Sequence, residues 1–162
     1  MPFAIRAATP DEFASVGDVC AAAYGPFVDA GDPYTRVLRD VAGRAAGAEV
    51  LVAVDAGELL GTVTFVPDGG PLGEIAVPGE TEFRMLAVAS AGQRRGVGTA
   101  LMAHIVQESR RRGKAGVVGS SQPAMRVAHR VYERLGFRRA PERDWSPVPG
   151  IELLAFVLAL EE

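Results

Sequence analysis

The apolar residues of this chain recur with two different periods, and these periods predict its secondary structure. Helical spacing, with helix start and stop residues, predicts four helices over about 9–24, 32–43, 97–112 and 125–135. Alternation or short apolar runs predict seven strands over about 3–7, 49–54, 59–66, 82–88, 115–120, 137–139 and 151–160. Strict alternation in the fourth strand would separate Phe83, Met85 and Ala87 from Glu82, Arg84, Leu86 and Val88. The order of these elements predicts one mixed-sheet α/β domain over residues 1–162.

Composition and charge exclude several classes of protein. The net charge is −3, which argues against a nucleic-acid-binding protein. A single cysteine, Cys20, rules out an internal disulfide and a multi-cysteine metal site, and two histidines without a ligand pattern predict no metal. The longest apolar run, from Leu153 to Leu160, is too short to span a bilayer, and the first residues do not resemble a signal peptide. We therefore expect a cytoplasmic protein; its excess of arginine over lysine is typical of a GC-rich bacterial genome.

The charge is unevenly distributed along the chain. Residues 1–93 carry a net charge of −8, residues 94–143 a net charge of +9, and residues 144–162 a net charge of −4. An acidic half and a basic half favour either two ligands of opposite charge or solvated helix faces. The charge pattern alone leaves both interpretations open.

The most informative segment is a turn between a predicted strand and a predicted helix, with the sequence Gln93-Arg94-Arg95-Gly96-Val97-Gly98. Backbone N–H groups at the start of a helix have no partner inside the helix, and they lie at the positive end of its dipole. Glycine allows a ligand to approach the main chain closely. The turn therefore predicts a phosphate site, to which the two arginines add positive charge.

Two common phosphate-binding motifs do not fit this turn. A P-loop requires Gly-Lys-Ser/Thr at the helix start, whereas Thr99 and Ala100 follow Gly98. A dinucleotide-binding motif requires a third glycine where Leu101 stands, and an acidic residue after the next strand, which here ends in Ser120. On the turn alone, a helix start that contains glycine but binds no ligand remains an alternative.

Two segments resemble the GNAT family of N-acetyltransferases. Residues 82–88 followed by 93–98 are similar to the central acetyl-CoA motif of that family. The second motif is matched by Ala128, Tyr132, Gly136 and Phe137. The resemblance implies a single α/β domain of α+β type. Its mixed, mostly antiparallel sheet would be splayed between two parallel strands and flanked by about four helices.

The resemblance also implies which residues bind acetyl-CoA, as a co-substrate without a metal. The pantetheine arm would pair with the main chain of Leu86, Ala87 and Val88 as an added strand would. The pyrophosphate would bind the backbone of the turn and first helical residues: Arg94, Arg95, Gly96, Val97, Gly98 and Thr99. The family often has asparagine where Met125 stands, so we expect the arm to be held differently there, or by Ser121 or Gln122.

Two further residues match the catalytic positions of the family. Glu82 matches the general base that takes a proton from the attacking amine, and Tyr132 matches the tyrosine that protonates the leaving thiolate. Each has a structural alternative: Glu82 could pair with Arg84 or another arginine, and Tyr132 could simply pack in the core.

The expected acceptor is a primary amine of a small molecule, an amino acid, or a peptide or protein. Acidic and aromatic residues near the second helix and in the loop before the last strand would attract a cation: Tyr24, Phe27, Asp29, Asp32, Tyr34, Asp40, Asp144 and Trp145. Two other functions stay open, namely a non-catalytic acyl-CoA-binding or sensing domain and a transferase of a different acyl group. A homodimer is an alternative to a monomer.

Overall fold

Seven strands form one sheet in the computed structural model, which describes residues 3–29 and 31–160. They are β1 (Ala4–Ala7), β2 (Glu49–Asp55), β3 (Glu58–Val66), β4 (Glu80–Val88), β5 (Gly116–Ser121), β6 (Arg138–Arg139) and β7 (Leu154–Ala159). The order across the sheet is β1-β2-β3-β4-β5-β7-β6. Strands β4 and β5 run parallel, and the other neighbouring strands run antiparallel. The predicted mixed, mostly antiparallel sheet is therefore confirmed.

Five α-helices cover the sheet in the described residues. They are α1 (Phe13–Tyr24), α2 (Tyr34–Arg39), α3 (Val41–Gly47), α4 (Val97–Arg111) and α5 (Arg126–Arg134). The single helix predicted over 32–43 is two helices. Asp40 leaves the helical conformation at ψ 66°, and its side chain accepts a hydrogen bond from the Gly43 N–H to cap α3. None of these helices has the length and apolar character that crossing a bilayer requires.

The helices divide between the two faces of the sheet. Helices α4 and α5 bury their apolar sides on one face, against residues such as Phe65 and Phe83. The α1–α3 group covers the other face, where Val16, Cys20 and Leu38 are almost fully buried. The 3.6-residue periodicity of the sequence thus places one apolar stripe of each helix on the sheet.

A β-bulge interrupts β4 and corrects the predicted alternation. Opposite Val63 the pairing with β3 shifts by one residue, and Met85 adopts a left-handed φ of 57°. As a result, Phe83 and Leu86 lie in the α4–α5 core, whereas Met85 and Ala87 lie in the α1–α3 core. The prediction of strict alternation is wrong beyond Arg84, because the extra residue moves every later side chain to the opposite face.

Candidate active site

The sheet opens between its two parallel strands. Strands β4 and β5 pair from Glu80 and Gly116 as far as Phe83 and Gly119, and no pairing follows, although both strands continue. On its other edge, β4 pairs with β3 through Ala87 and Val88. The last residues of β4 therefore present an edge without a strand partner, which is the kind of edge to which an extended chain adds.

The first turn of α4 lies next to this open edge. A Cβ atom on Gly98 would stand 3.5 Å from Val88 Cγ2 and 4.0 Å from Leu86 Cδ2, so the helix start packs directly against the end of β4. The N–H groups of Gly96, Val97, Gly98 and Thr99 donate to no acceptor among the described residues. Gly96 has a φ of 75°, a left-handed conformation that glycine adopts without steric cost. The predicted row of amides at the helix start is therefore formed.

The two arginines of the turn differ in their surroundings. The Arg95 guanidinium donates to Asp55 at 2.8 Å and lies over the ring of Phe3, and its N–H donates to the Gly92 carbonyl at 3.3 Å. Arg94 is exposed, with a left-handed φ of 66°. Of the two guanidinium groups predicted to meet phosphate, that of Arg95 is held by a carboxylate, whereas that of Arg94 extends into solvent.

Glu82 is almost completely buried on β4, with 1% of its surface exposed. Its Oε1 accepts hydrogen bonds from the N–H groups of Glu74, Ile75 and Ala76, at 2.9, 3.1 and 3.1 Å. Its Oε2 has no hydrogen-bond partner among the described residues. The alternative of an ion pair with Arg84 does not hold, because Arg84 approaches Glu74 instead, at 3.6 Å. Three amides thus fix the carboxylate and leave one buried oxygen as an unused acceptor.

Tyr132 lies where β4 and β5 separate. Its ring centroid is 5.1 Å from that of Phe83 and 5.2 Å from that of Phe156. These two residues flank Gly119, which pairs with Phe83 on one side and with Phe156 on the other. Burial raises the pKa of the Tyr132 phenol well above its ordinary value. The phenol therefore stays protonated at neutral pH and can act as a proton donor.

Gly119 contributes to this arrangement although the sequence analysis did not identify it. A Cβ atom at this position would overlap Cζ, Cε1 and Cε2 of Phe83. The Phe83 ring thus lies directly over Gly119, and the Tyr132 ring packs against the Phe83 ring. The only signal in the sequence is a glycine inside an apolar strand, which is typical of a close approach by another group.

A polar cluster faces α1 and α2 on the other side of β4. It includes the phenols of Tyr24 and Tyr34, together with Glu74 and Arg84. Burial raises the pKa of Tyr24, and the nearby phenols of Tyr132 and Tyr34 raise it further, whereas Arg84 opposes the rise. Burial also raises the pKa of Tyr34, again against Arg84, and that of the Glu74 carboxyl. Sequence spacing identified the two tyrosines but neither Glu74 nor Arg84.

Three of the four aspartates expected to form an acidic wall also have structural roles. Asp32 accepts the N–H of Tyr34 at 2.8 Å, and Asp40 caps α3. Asp144 forms an ion pair with Arg139 at 2.8 Å and accepts the Ala155 N–H. The charge of Asp144 is thus paired with that of Arg139, whereas Asp32 and Asp40 form no ion pair with another described residue.

The segment around Met125 bears on how a cofactor arm would be held. Met125 is half-buried just before α5, and Ser121, which could replace the missing asparagine, is 3.1 Å from Nε2 of His129. The His129 ring packs 4.8 Å from Phe156, and burial lowers its pKa. His129 is thus a neutral packing residue here. Within residues 3–29 and 31–160, no three His, Cys, Asp or Glu side chains gather as metal ligands would.

Comparisons with known proteins concern the family and the fold of the chain. A family model described as "Acetyltransferase (GNAT) family" matches residues 18–137. An acetyltransferase of the GNAT family from Staphylococcus aureus is 12% identical, with 99% of this chain and 100% of that chain covered and a TM-score of 0.75. A ribosomal-protein-alanine N-acetyltransferase from Brucella melitensis is 19% identical, with 97% and 99% covered and a TM-score of 0.70.

A GNAT family acetyltransferase from Brucella melitensis, solved in complex with acetyl-CoA, is 24% identical, with 99% of this chain and 90% of that chain covered and a TM-score of 0.67. No curated protein matches the chain. At these identities the solved structures show a common fold, and the family model shows the family.

Proposed function

Since the chain belongs to the acetyltransferase (GNAT) family, we propose that it transfers the acetyl group of acetyl-CoA to a primary amine. The observation that carries this proposal is the unpaired end of β4 lying directly against the free amides at the start of α4. The unpaired strand end suits an extended arm with amide groups, and the free amides of the helix suit phosphates. Coenzyme A has these two parts in this order, a pantetheine arm followed by a pyrophosphate.

The residues present fit acetyl-CoA as a co-substrate. The main chain of Leu86, Ala87 and Val88 would hold the pantetheine arm. The amides of Arg94 and of residues 96–99 would hold the pyrophosphate, since the Arg95 amide already donates to the Gly92 carbonyl. One solved structure of similar fold contains acetyl-CoA. The thioester supplies the activated acetyl group, and no metal is needed for its transfer.

Glu82 and Tyr132 would manage the two protons of the reaction. An alkyl amine has a pKa near ~10 and is mostly protonated at neutral pH, so a base must remove a proton before or during its attack. We assign this to Glu82 Oε2, directly or through water. From the neutral amine, the C–N bond would form and the C–S bond break while Glu82 takes the proton that the nitrogen loses. The Tyr132 phenol would give its proton to the leaving thiolate, and the proton on Glu82 would then be released to solvent as Tyr132 regains one. Because burial raises the pKa of the phenol, its proton is present at neutral pH when the thiolate leaves.

The acceptor would be a small-molecule amine, an amino acid, or a peptide or protein amine in the cytoplasm. One protein of similar fold is named a ribosomal-protein-alanine N-acetyltransferase. That name is consistent with an α-amine as the acceptor. A binding domain without catalysis is less well supported, because pure binding would not require a buried carboxylate with a free oxygen beside the cofactor cleft. Transfer of a different acyl group remains the second candidate, since the free amides would hold any acyl-CoA.

A screen of amines with acetyl-CoA, read by the release of CoA thiol, tests the proposal. Acetyl-CoA and CoA should each raise the melting temperature, and at least one amine should give an acetylated product by mass spectrometry. Propionyl-CoA and succinyl-CoA serve as competing donors. A melting temperature that does not respond to CoA would contradict the assigned cofactor site. A higher rate with another acyl donor would favour the second candidate.

A further inference from the structure

A cleft rich in arginine opens on the α1–α3 face of the sheet. Its volume is about 430 Å³, which suits a ligand the size of an amino acid. We call it the arginine cleft, and its lining residues are Arg36, Val37, Asp40, Gly43, Arg44, Leu72 and Arg84. Three guanidinium groups thus face two carboxylates, that of Asp40, which accepts the N–H of Gly43, and that of Glu74, which lies 3.6 Å from Arg84. The excess of positive charge favours an anionic ligand.

Arg44 is a buried cation with no anionic partner. Only 3% of its surface is exposed, and it takes part in none of the ion pairs between described residues. It donates to the carbonyl groups of Val37 and Leu38 at 2.6 and 3.1 Å, and its Nε has no partner. A buried charge without a counter-ion is costly. An anion in the cleft would reduce that cost.

Arg84 connects the arginine cleft with the candidate active site. It follows Glu82 by two residues on β4 and precedes the bulge, so both side chains leave the same face, with Cα atoms about 7 Å apart. The side chain of Arg84 is 15% exposed. Its guanidinium group is only loosely engaged, with the Glu74 carboxylate at 3.6 Å and the Leu72 carbonyl at 3.3 Å. It therefore retains donors for a further acceptor.

We propose that the arginine cleft binds the carboxylate of the acceptor through Arg84, so that the acceptor is an amino acid or an amino-acid-like zwitterion. The assignment rests on the proposed acetyl transfer to an amine. In such a molecule the amine and the carboxylate are close neighbours, so an amine delivered to Glu82 brings its carboxylate toward Arg84. A guanidinium group binds a carboxylate with two parallel hydrogen bonds, and Arg36 at the cleft rim adds long-range attraction.

The decisive comparison is between each L-amino acid and its own carboxamide, which has the same side chain and amine but no negative charge. Binding is measured as the shift in melting temperature with CoA present, and turnover as kcat/KM with acetyl-CoA. We expect the preferred amino acid to exceed its carboxamide at least tenfold in kcat/KM, mainly through KM. Loss of the carboxylate lowers the pKa of the amine and supplies more free amine, so this preference cannot arise from amine ionisation.

Variants then assign the preference to the arginine cleft. Arg84→Gln should reduce the ratio of amino acid to carboxamide at least tenfold, and Arg84→Lys should reduce it less, because the charge remains without the paired donors. Arg36→Gln, on the exposed rim, should reduce it by a factor of about two to five through lost attraction. Arg110→Gln, exposed at the far end of α4, is the matched control and should leave the ratio unchanged.

The outcomes separate this inference from the proposed function. The arginine cleft does not bind the carboxylate if the carboxamides bind and react as well as the amino acids. The same conclusion follows if Arg84→Gln leaves the ratio of amino acid to carboxamide kcat/KM unchanged. If amino acids bind selectively through Arg84 but no amine is acetylated, the cleft is supported and the proposed acetyl transfer fails.

Discussion

Single residues of the candidate site combine burial with one free polar group. Glu82 has one oxygen held by three amides and one without a partner. Tyr132 has a ring held by aromatic neighbours and a phenol whose pKa is raised by burial. In both residues the fixed part orients the reactive part, which lowers the entropy that must be lost on reaching the transition state.

Replacing Glu82 with glutamine tests the base. A glutamine oxygen can still accept the three amide hydrogen bonds, but the side chain cannot take a proton. We expect Glu82→Gln to lower kcat/KM by roughly a hundredfold or more near neutral pH. The deficit should shrink as the pH rises from 6.5 to 9.5, because free amine becomes abundant. Glu58→Gln, exposed at the start of β3, is the control, and an equal deficit at every pH would argue against a base at Glu82.

Replacing Tyr132 with phenylalanine tests the acid. The substitution removes one oxygen and keeps the ring packing, so the melting temperature and its rise with CoA should change little. We expect kcat to fall tenfold or more, because the thiolate then leaves without a positioned proton donor. Tyr24→Phe provides the comparison, since burial also raises the pKa of its phenol. If Tyr24→Phe abolishes turnover and Tyr132→Phe does not, the donor has been assigned to the wrong tyrosine.

At the scale of secondary-structure elements, β4 creates the site by changing its pairing along its length. Its first half pairs on both sides, with β3 and β5. After Phe83 it loses β5, and at Met85 the bulge redirects the remaining side chains. The same strand therefore holds Glu82 in its closed half and offers free backbone in its open half. A single strand thus places the base next to the edge where the acyl donor is expected to lie.

Gly119 on β5 is the element-level test. A methyl group at this position would overlap the Phe83 ring, and we expect Gly119→Ala to lower the free energy of unfolding by about 1–3 kcal/mol. Thermal unfolding should show a fall of roughly 3–10 °C. Below the melting temperature, kcat should still fall, because the Phe83 ring packs against Tyr132 and its displacement would move the phenol. Gly25→Ala is the control, since its φ is −48° and nothing lies within 4 Å of the added atom; equal effects of the two substitutions would contradict the packing argument.

On the scale of the whole molecule, the two faces of the sheet carry different parts of the proposed reaction. The α4–α5 face provides the amide row and Tyr132, and the α1–α3 face provides the arginine cleft and the side of β4 that bears Arg84. Ion pairs connect distant segments around this frame, as between Arg143 and Glu80 or Arg95 and Asp55. Such pairs make the stability of the fold depend on pH.

Acid should destabilise the protein below about pH 4.5. The hydrogen bond from Arg6 lowers the pKa of Glu12 to about 2, and that from Arg139 lowers the pKa of Asp144. A carboxyl group whose pKa is lower when folded binds fewer protons in the folded state, so its stabilisation is complete above the unfolded pKa and is lost as the pH falls through the folded pKa. The same direction holds for three other groups, namely Asp68, Glu80 and Glu108.

Thermal unfolding between pH 7 and pH 2.5 measures this effect. The melting temperature should be nearly constant down to about pH 5 and then fall, and Asp144→Asn should show a shallower fall from a lower starting value. Glu74 changes the stability in the opposite direction, because burial raises its pKa. It is one carboxyl group against the five whose pKa is lowered. A melting temperature that stays constant from pH 5 to pH 3 would contradict the contribution of these pairs.

The sequence by itself determined the order of the elements, the amide row at the start of α4, and the two residues proposed for proton transfer. Each depends on local relations: side-chain periodicity, glycine near a helix start, and short motifs that resemble one family. The tertiary structure alone decided the division of the second helix at Asp40, the bulge at Met85, the separation of β4 from β5 after Phe83, and the gathering of Arg44 and Arg84 in one cleft. These features depend on strand register and on contacts between residues far apart in the chain, and a local pattern carries no information about such contacts.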